Sequence, residues 1–391
     1  MMTSAYLRRL RGFSVVELMV SVVIGMLAVM FATRLLANSE QQKSSSVGSS
    51  DTMQNGMLAM FQMNNDAAQA GWGLNDELIS GCDTAMQDTQ GFQLTITKRN
   101  GADITPLAPV VIADGGLNSD VISMYSGSSP TGMGNEMVTK DYAGGSAITT
   151  ASAPPYGFAA GDVIVMVPEP SGGRCSMAQL AVLPTRGAGG ELSFAAGSGL
   201  RFNSGNLGGN TFLSGQARVY NLGQASRLSF HTWTVVNGRL LLRATDLAGT
   251  SQTPQIVVDN VVAIKAQYGF DTNIGDAFKP GSMQVNKWST SMIDADGNGE
   301  VGNPGDYQHV AAIRLAVIAR GGIPDKPDPK TGTCSGTTTM QKVFASNVPL
   351  NVPAVPVLVK LSVPGDPMDW TCYRYRSFET IVPIRNSGWR P

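Results

Sequence analysis

The stretch FSVVELMVSVVIGMLAVMFATRLL, residues 13–36, decides the architecture of this chain. Between Phe13 and Thr33 the single formal charge is Glu17. That leaves an apolar run of about 20 residues, the helix length that ~30 Å of hydrocarbon demands. Arg8, Arg9 and Arg11 stand on its N-terminal side, which the positive-inside rule keeps in the cytoplasm while the remainder faces the other compartment. An ordinary secretory signal carries its small-residue cleavage site after the apolar stretch. Here Gly12 precedes it, so a cut there leaves the oily part on the protein. An ionised carboxylate inside such a segment costs about 2.5–3.5 kcal/mol, so Glu17 calls for a partner or for a place where it reaches the headgroups.

The residues that follow stay compatible with a helix. No proline occurs before Pro106, and Met53, Met57, Met60 and Phe61 fall at the spacing of one packed helical face, so the helix is expected to reach about residue 70. Gly48, Gly56 and the serines between 44 and 50 weaken its middle.

Beyond Gly71 the period changes from helical to strand-like. Runs at 92–98, 120–125, 162–167, 217–222, 227–236, 239–245, 261–270, 309–319 and 378–384 read as strands, and Asn237-Gly238 between two of them is a hairpin signal. Gly- and Ser-rich stretches at 127–135 and 197–210 read as loops. The fold class is therefore α+β: a long N-terminal helix, membrane-embedded in its first half, packed on a large antiparallel β-rich head. The expected divisions are a leader at 1–12, the helix at 13–71, a variable loop-rich region at 72–215 and a sheet region at 216–391.

Two parts of the sequence resemble a known family. RGFSVVELMVSVVIGML is similar to the class III signal of type IV prepilins, and DNVVAIKAQYGFDT, HVAAIRLAVIAR and RSFETIVPIRNSGW resemble the C-terminal half of PilW-like minor pilins. The resemblance spans about residues 8–70 and 255–391 and implies several things. Prepilin peptidase cuts after Gly12 and methylates Phe13, and Glu17 pairs with the free amine of a neighbouring subunit as the filament grows. The chain is a minor pilin that helps initiate or cap a pilus, with a minor pseudopilin of type II secretion as the alternative. It sits in the inner membrane with a periplasmic head before passing into the pilus. Its partners are other minor and major pilins, the peptidase, the inner-membrane assembly machinery and a tip adhesin.

The remaining chemistry is sparse. Cys82, Cys175, Cys334 and Cys372 form no C-x-x-C pair, so in an exported chain they read as two disulfides rather than a zinc site. Three connectivities exist, and pairing near neighbours in sequence gives Cys82–Cys175 and Cys334–Cys372; four buried free thiols are the alternative. DADGNGEVG, residues 294–302, places Asp294, Asp296, Asn298 and Glu300 as in the opening of a calcium loop, but the twelfth position is Gly305 and Asp306 comes one residue late. A simple calcium loop and an Asp/Asn/Gly turn both remain open, and calcium is the one cofactor these residues suggest. A calcium-dependent binding module at the pilus tip is accordingly a further reading. His231 and His309 lie inside strand-like runs, and no nucleophile-and-base motif is present, so catalysis is not expected.

With 28 basic against 29 acidic residues the net charge is −1, and no overall field draws the chain to nucleic acid. Tyr373, Arg374, Tyr375 and Arg376 interleave aromatic and basic groups. Strand alternation sends the two kinds to opposite faces, so nucleic acid is not an expected partner.

Overall fold

The computed structural model describes residues 14–129, 135–151, 157–169, 173–182, 190–197, 199–203 and 205–388. The expected leader, with Gly12 and Phe13, lies outside the described residues. The chain divides into a unit ending at Ser50 and a unit beginning at Asp51.

One helix, Val15–Gln69, runs for 55 residues. Within the first unit its segment Val15–Leu36 is long and apolar enough to cross a membrane, and its large apolar side chains are exposed. Glu17 sits in the first turn, where a negative charge opposes the positive end of the helix dipole.

In the second unit the helix lays a face of small residues on the head. Thr52, Gly56, Ala59, Met63, Ala67 and Ala70 are buried, a spacing of three and four. The methionine stripe expected to pack does not: Met53, Met57 and Phe61 are 39%, 52% and 61% exposed, and only Met60 is partly buried against the core. Small residues win the contact because they let the sheet approach the helix axis. Gly56 shows this most directly, since a Cβ there would lie 2.0 Å from the Phe378 ring. What the sequence presents as a weak point in the helix is the notch that takes that ring.

The chain turns away from the helix at Gly71, whose φ of +87° suits glycine and whose N–H donates to the Tyr125 carbonyl at 2.8 Å. Asn386 Nδ2 donates to the Gln69 and Ala70 carbonyls at 3.1 and 3.0 Å, filling acceptors that the helix itself leaves open.

Three larger sheets make the head. A four-stranded sheet runs Lys287–Ser289, Val261–Phe270, Val310–Arg320, Tyr375–Pro383. A five-stranded sheet runs Gln255–Asp259, Arg239–Ala244, Ser229–Val236, Val121–Ser126, Val110–Ala113. A six-stranded sheet runs Pro106–Leu107, Cys82–Ala85, Cys175–Gln179, Asp162–Pro168, Ala217–Gln224, Asn135–Met137. Pairing is antiparallel in these sheets except between Cys82–Ala85 and Cys175–Gln179, which run parallel.

The helix face, the five-stranded sheet and one side of the four-stranded sheet share the main core, through residues such as Ala59, Met63, Trp233, Tyr268 and Leu315. The strand Val261–Phe270 is buried at every position, because Val343, Phe344, Val359 and Leu361 cover its second side. Burial on both faces explains its unbroken apolar reading.

The hairpin is as its sequence indicates: Val236 pairs with Arg239, and Asn237 and Gly238 both take positive φ, 49° and 73°. Two expectations fail. The run 92–98 forms a strand only at Thr97–Arg99, because Thr95 spends its N–H on the Tyr125 hydroxyl and its own hydroxyl on Ser123. The division near 215 is crossed by pairing, since residues 110–126 complete the sheet of 229–259 while 217–224 joins strands from the earlier region.

Candidate functional site

The cysteines pair as Cys82–Cys175 and Cys334–Cys372, spanning 93 and 38 residues. The first bridge ties the two parallel strands of the six-stranded sheet. The second holds the loop around Asp325 to the segment before the edge strand Tyr375–Pro383, where the Asp325 N–H also donates to the Cys372 carbonyl at 2.7 Å.

The DADGNGEVG loop folds back on itself through Gly297, Gly299 and Gly302. As a result, carboxylate oxygens of Asp294, Asp296 and Asp306 lie within 4.8 Å of one another. Of the expected set, Glu300 is not in this group; its backbone N–H donates to Asn298 Oδ1 at 2.8 Å, and Asn298 braces Asp296 Oδ2 at 2.9 Å. Asp306 takes the place expected of Glu300 because Gly305 has no side chain: a Cβ there would meet Asp296 Oδ2 at 1.9 Å.

Asp306 also closes a capping box with Asn303 on the short helix Pro304–Gln308 and accepts from the N–H groups of Ala295 and Gly302. Burial and the neighbouring Asp296 charge push its carboxyl above the ordinary range against those hydrogen bonds. Three oxygens at this spacing fit around one calcium ion, which bonds oxygen at about 2.3–2.6 Å. Beside them opens a cleft of about 800 Å³ lined by Glu77, Asn100, Asn298, Glu300 and Gln308 among others.

A further cluster has no motif in the sequence. Asp66, three residues before the helix end, accepts at Oδ2 from His231 Nδ1 and from Trp233 Nε1, each at 2.8 Å. Asp246 takes the other imidazole nitrogen at 2.8 Å. Burial works against a charge on His231, but the hydrogen bonds and charges of Asp246 and Asp66 outweigh it and push the imidazole up to about 9.

Ser229 Oγ lies 3.1 Å from His231 Nε2, which gives Ser229, His231 and Asp66 the connectivity of a serine triad. An imidazolium that donates at both nitrogens cannot take the serine proton, so the arrangement works as a clamp between helix and sheet. His309 is satisfied inside the fold: Nδ1 meets the Asp271 carbonyl at 2.6 Å, and the ring stacks on Phe278.

In the interleaved segment Tyr373 is buried under the Arg320 guanidinium, whereas Arg374 points to Asp325 at 3.0 Å.

The family model of Type IV Pilus-assembly protein W matches residues 228–386. That range begins beside the strand Ser229–Val236 and takes in the hairpin and the whole four-stranded sheet, a start earlier than the sequence resemblance; it does not extend to the N-terminal segment. Among solved structures, a Type IV-like pilin, TTHA1219 from Thermus thermophilus, is 14% identical, with 59% of this chain and 86% of that chain covered at a TM-score of 0.19. No curated protein matches the chain. An apolar N-terminal helix, a β-rich head and the Type IV Pilus-assembly protein W pattern over residues 228–386 make this chain similar to the type IV pilins.

Proposed function

We propose that this chain is a minor subunit of a type IV pilus, held in the inner membrane by its N-terminal helix and later drawn into the filament, where it helps to initiate or cap assembly. The observation that carries the reading is the segment Val15–Leu36, an exposed apolar helix with one acid, Glu17, in its first turn. A surface of that kind needs lipid or other apolar helices around it.

Work of this sort is done by packing and not by catalysis. Prepilin peptidase cuts after Gly12 and methylates Phe13, Glu17 pairs with the new amine of a neighbour, and the periplasmic head meets other pilins, the assembly machinery or a tip adhesin. The test is mass spectrometry of the membrane-fraction protein, expected to begin at methylated Phe13. A mature chain that still carries residues 1–12, or that is secreted free, overturns the reading. Loss of twitching without loss of secreted enzymes in a deletion strain separates a pilin from a type II secretion pseudopilin.

The convergence of Asp294, Asp296 and Asp306 favours a second reading, a calcium-dependent binding module on the head. Titration of the full chain in detergent tests it. Millimolar calcium is expected to raise Tm, and an Asp306→Asn variant is expected to lose the rise while Glu300→Gln keeps it. A Tm indifferent to calcium removes the idea.

A further inference from the structure

Lys265 is completely buried on the strand Val261–Phe270, a costly position for an ammonium group unless it is surrounded by oxygen. The oxygens come from one short loop, residues 114–120, with the sequence DGGLNSD. Lys265 Nζ donates to Asp114 Oδ1 at 3.3 Å, to the Gly116 carbonyl at 3.0 Å, to the Asn118 carbonyl at 3.2 Å and to Asp120 Oδ1.

The four donors of oxygen are residues 114, 116, 118 and 120, every second position of a loop curled around a single point. Backbone N–H groups hold the curl, with Gly115 N–H on Asp120 Oδ1 and Gly116 N–H on Asp114 Oδ1. The curl is tight, since a Cβ on Gly115 would lie 2.2 Å from the Ser119 carbonyl oxygen. Asp120 Oδ2 accepts from the Ala266 N–H at 2.9 Å, which anchors the loop to the strand that carries the lysine.

Alternate carboxylate and carbonyl oxygens converging from one turn are how a protein loop binds a hard cation. We propose that residues 114–120 form a cation-binding loop whose cation is supplied from within, by the ammonium of Lys265. Two carboxylates face one ammonium, so cutting back the lysine leaves a doubly negative cradle. The space vacated by its stem admits a divalent ion with waters completing the shell. An ordinary buried ion pair makes a different prediction: removing the lysine leaves damage that no added ion repairs.

The test compares Lys265→Ala with Lys265→Met in the full chain in detergent. Calcium or methylammonium is expected to raise the Tm of Lys265→Ala by several degrees more than it raises the unmodified protein, and adding Asp114→Asn is expected to abolish the excess. Lys265→Met, whose stem fills the space, is expected to gain no such excess. If Lys265→Ala is recovered only unfolded, refolding with and without calcium decides, and recovery with the ion alone supports the proposal. Equal Tm, or equal failure to refold, with and without either cation overturns it.

Discussion

Asp66 and His231, 165 residues apart in sequence, meet at 2.8 Å across the join between the long helix and the five-stranded sheet. The same carboxylate oxygen holds Trp233, and Asp246 closes the imidazole from the far side. One turn of the helix is thereby fixed to the strand Ser229–Val236 by a charge relationship as well as by the apolar face beneath it.

The clamp sets a pH dependence. The imidazole rises from 6.5 to about 9 on folding, so its contribution is complete below pH 6.5 and is lost as pH climbs through 9. With His231 only 13% exposed, that shift corresponds to roughly 3 kcal/mol. His231→Gln is expected to lower stability by about that amount at pH 6.5 and to flatten the stability curve between pH 6.5 and 9, as followed by thermal melts across that window. A variant that keeps the slope of the parent sinks this account.

Gly56→Ala offers a contest of two effects. Alanine improves helix propensity by about 1 kcal/mol, but its methyl group enters the Phe378 ring. Net destabilisation is expected, with Phe378→Leu relieving part of it. If Gly56→Ala alone is more stable than the parent, the notch does not seat the ring.

Opening the bridge between Cys334 and Cys372, with both residues replaced by serine, is expected to cost about 2–5 kcal/mol. Limited proteolysis is expected to find the first new cuts between residues 323 and 340, where the loop loses its tether. Unchanged cleavage and an unchanged Tm would show that the bridge adds nothing.

Glu17→Ala removes the one acid of the apolar segment, so insertion into the membrane is expected to persist or improve while incorporation into sheared pili falls about tenfold or more, the equivalent of ~1.4 kcal/mol. Immunoblots of membrane and pilus fractions read the two effects separately. Equal incorporation of the variant would leave Glu17 without an assembly role.

What was legible in the sequence was what local periodicity writes down. The apolar run from Phe13, the doubly buried strand Val261–Phe270 and the Asn237-Gly238 turn each carry their own signature, and their elements stand within a few residues of expectation. The cysteine pairs followed sequence proximity. Contacts that join distant residues leave no such trace. Gly56 reads as a helix weakness until Phe378 is seen against it, His231 reads as a routine strand histidine, and residues 110–126 give no hint that they belong beside 229–259. The acidic loop falls between the two: its residues were visible, but the glycine turns that exchange Glu300 for Asp306 act through three-dimensional closure.

The Asn386 amide that covers the Gln69 and Ala70 carbonyls belongs to a residue synthesised 317 positions after the end of the helix it seals. The final turn of the helix therefore keeps these two carbonyls open until nearly the whole chain has been made and has folded back on it. A chain cut short before Phe378 lacks both that seal and the ring that occupies the Gly56 notch, so its helix ends unfinished and its small-residue face stays uncovered there.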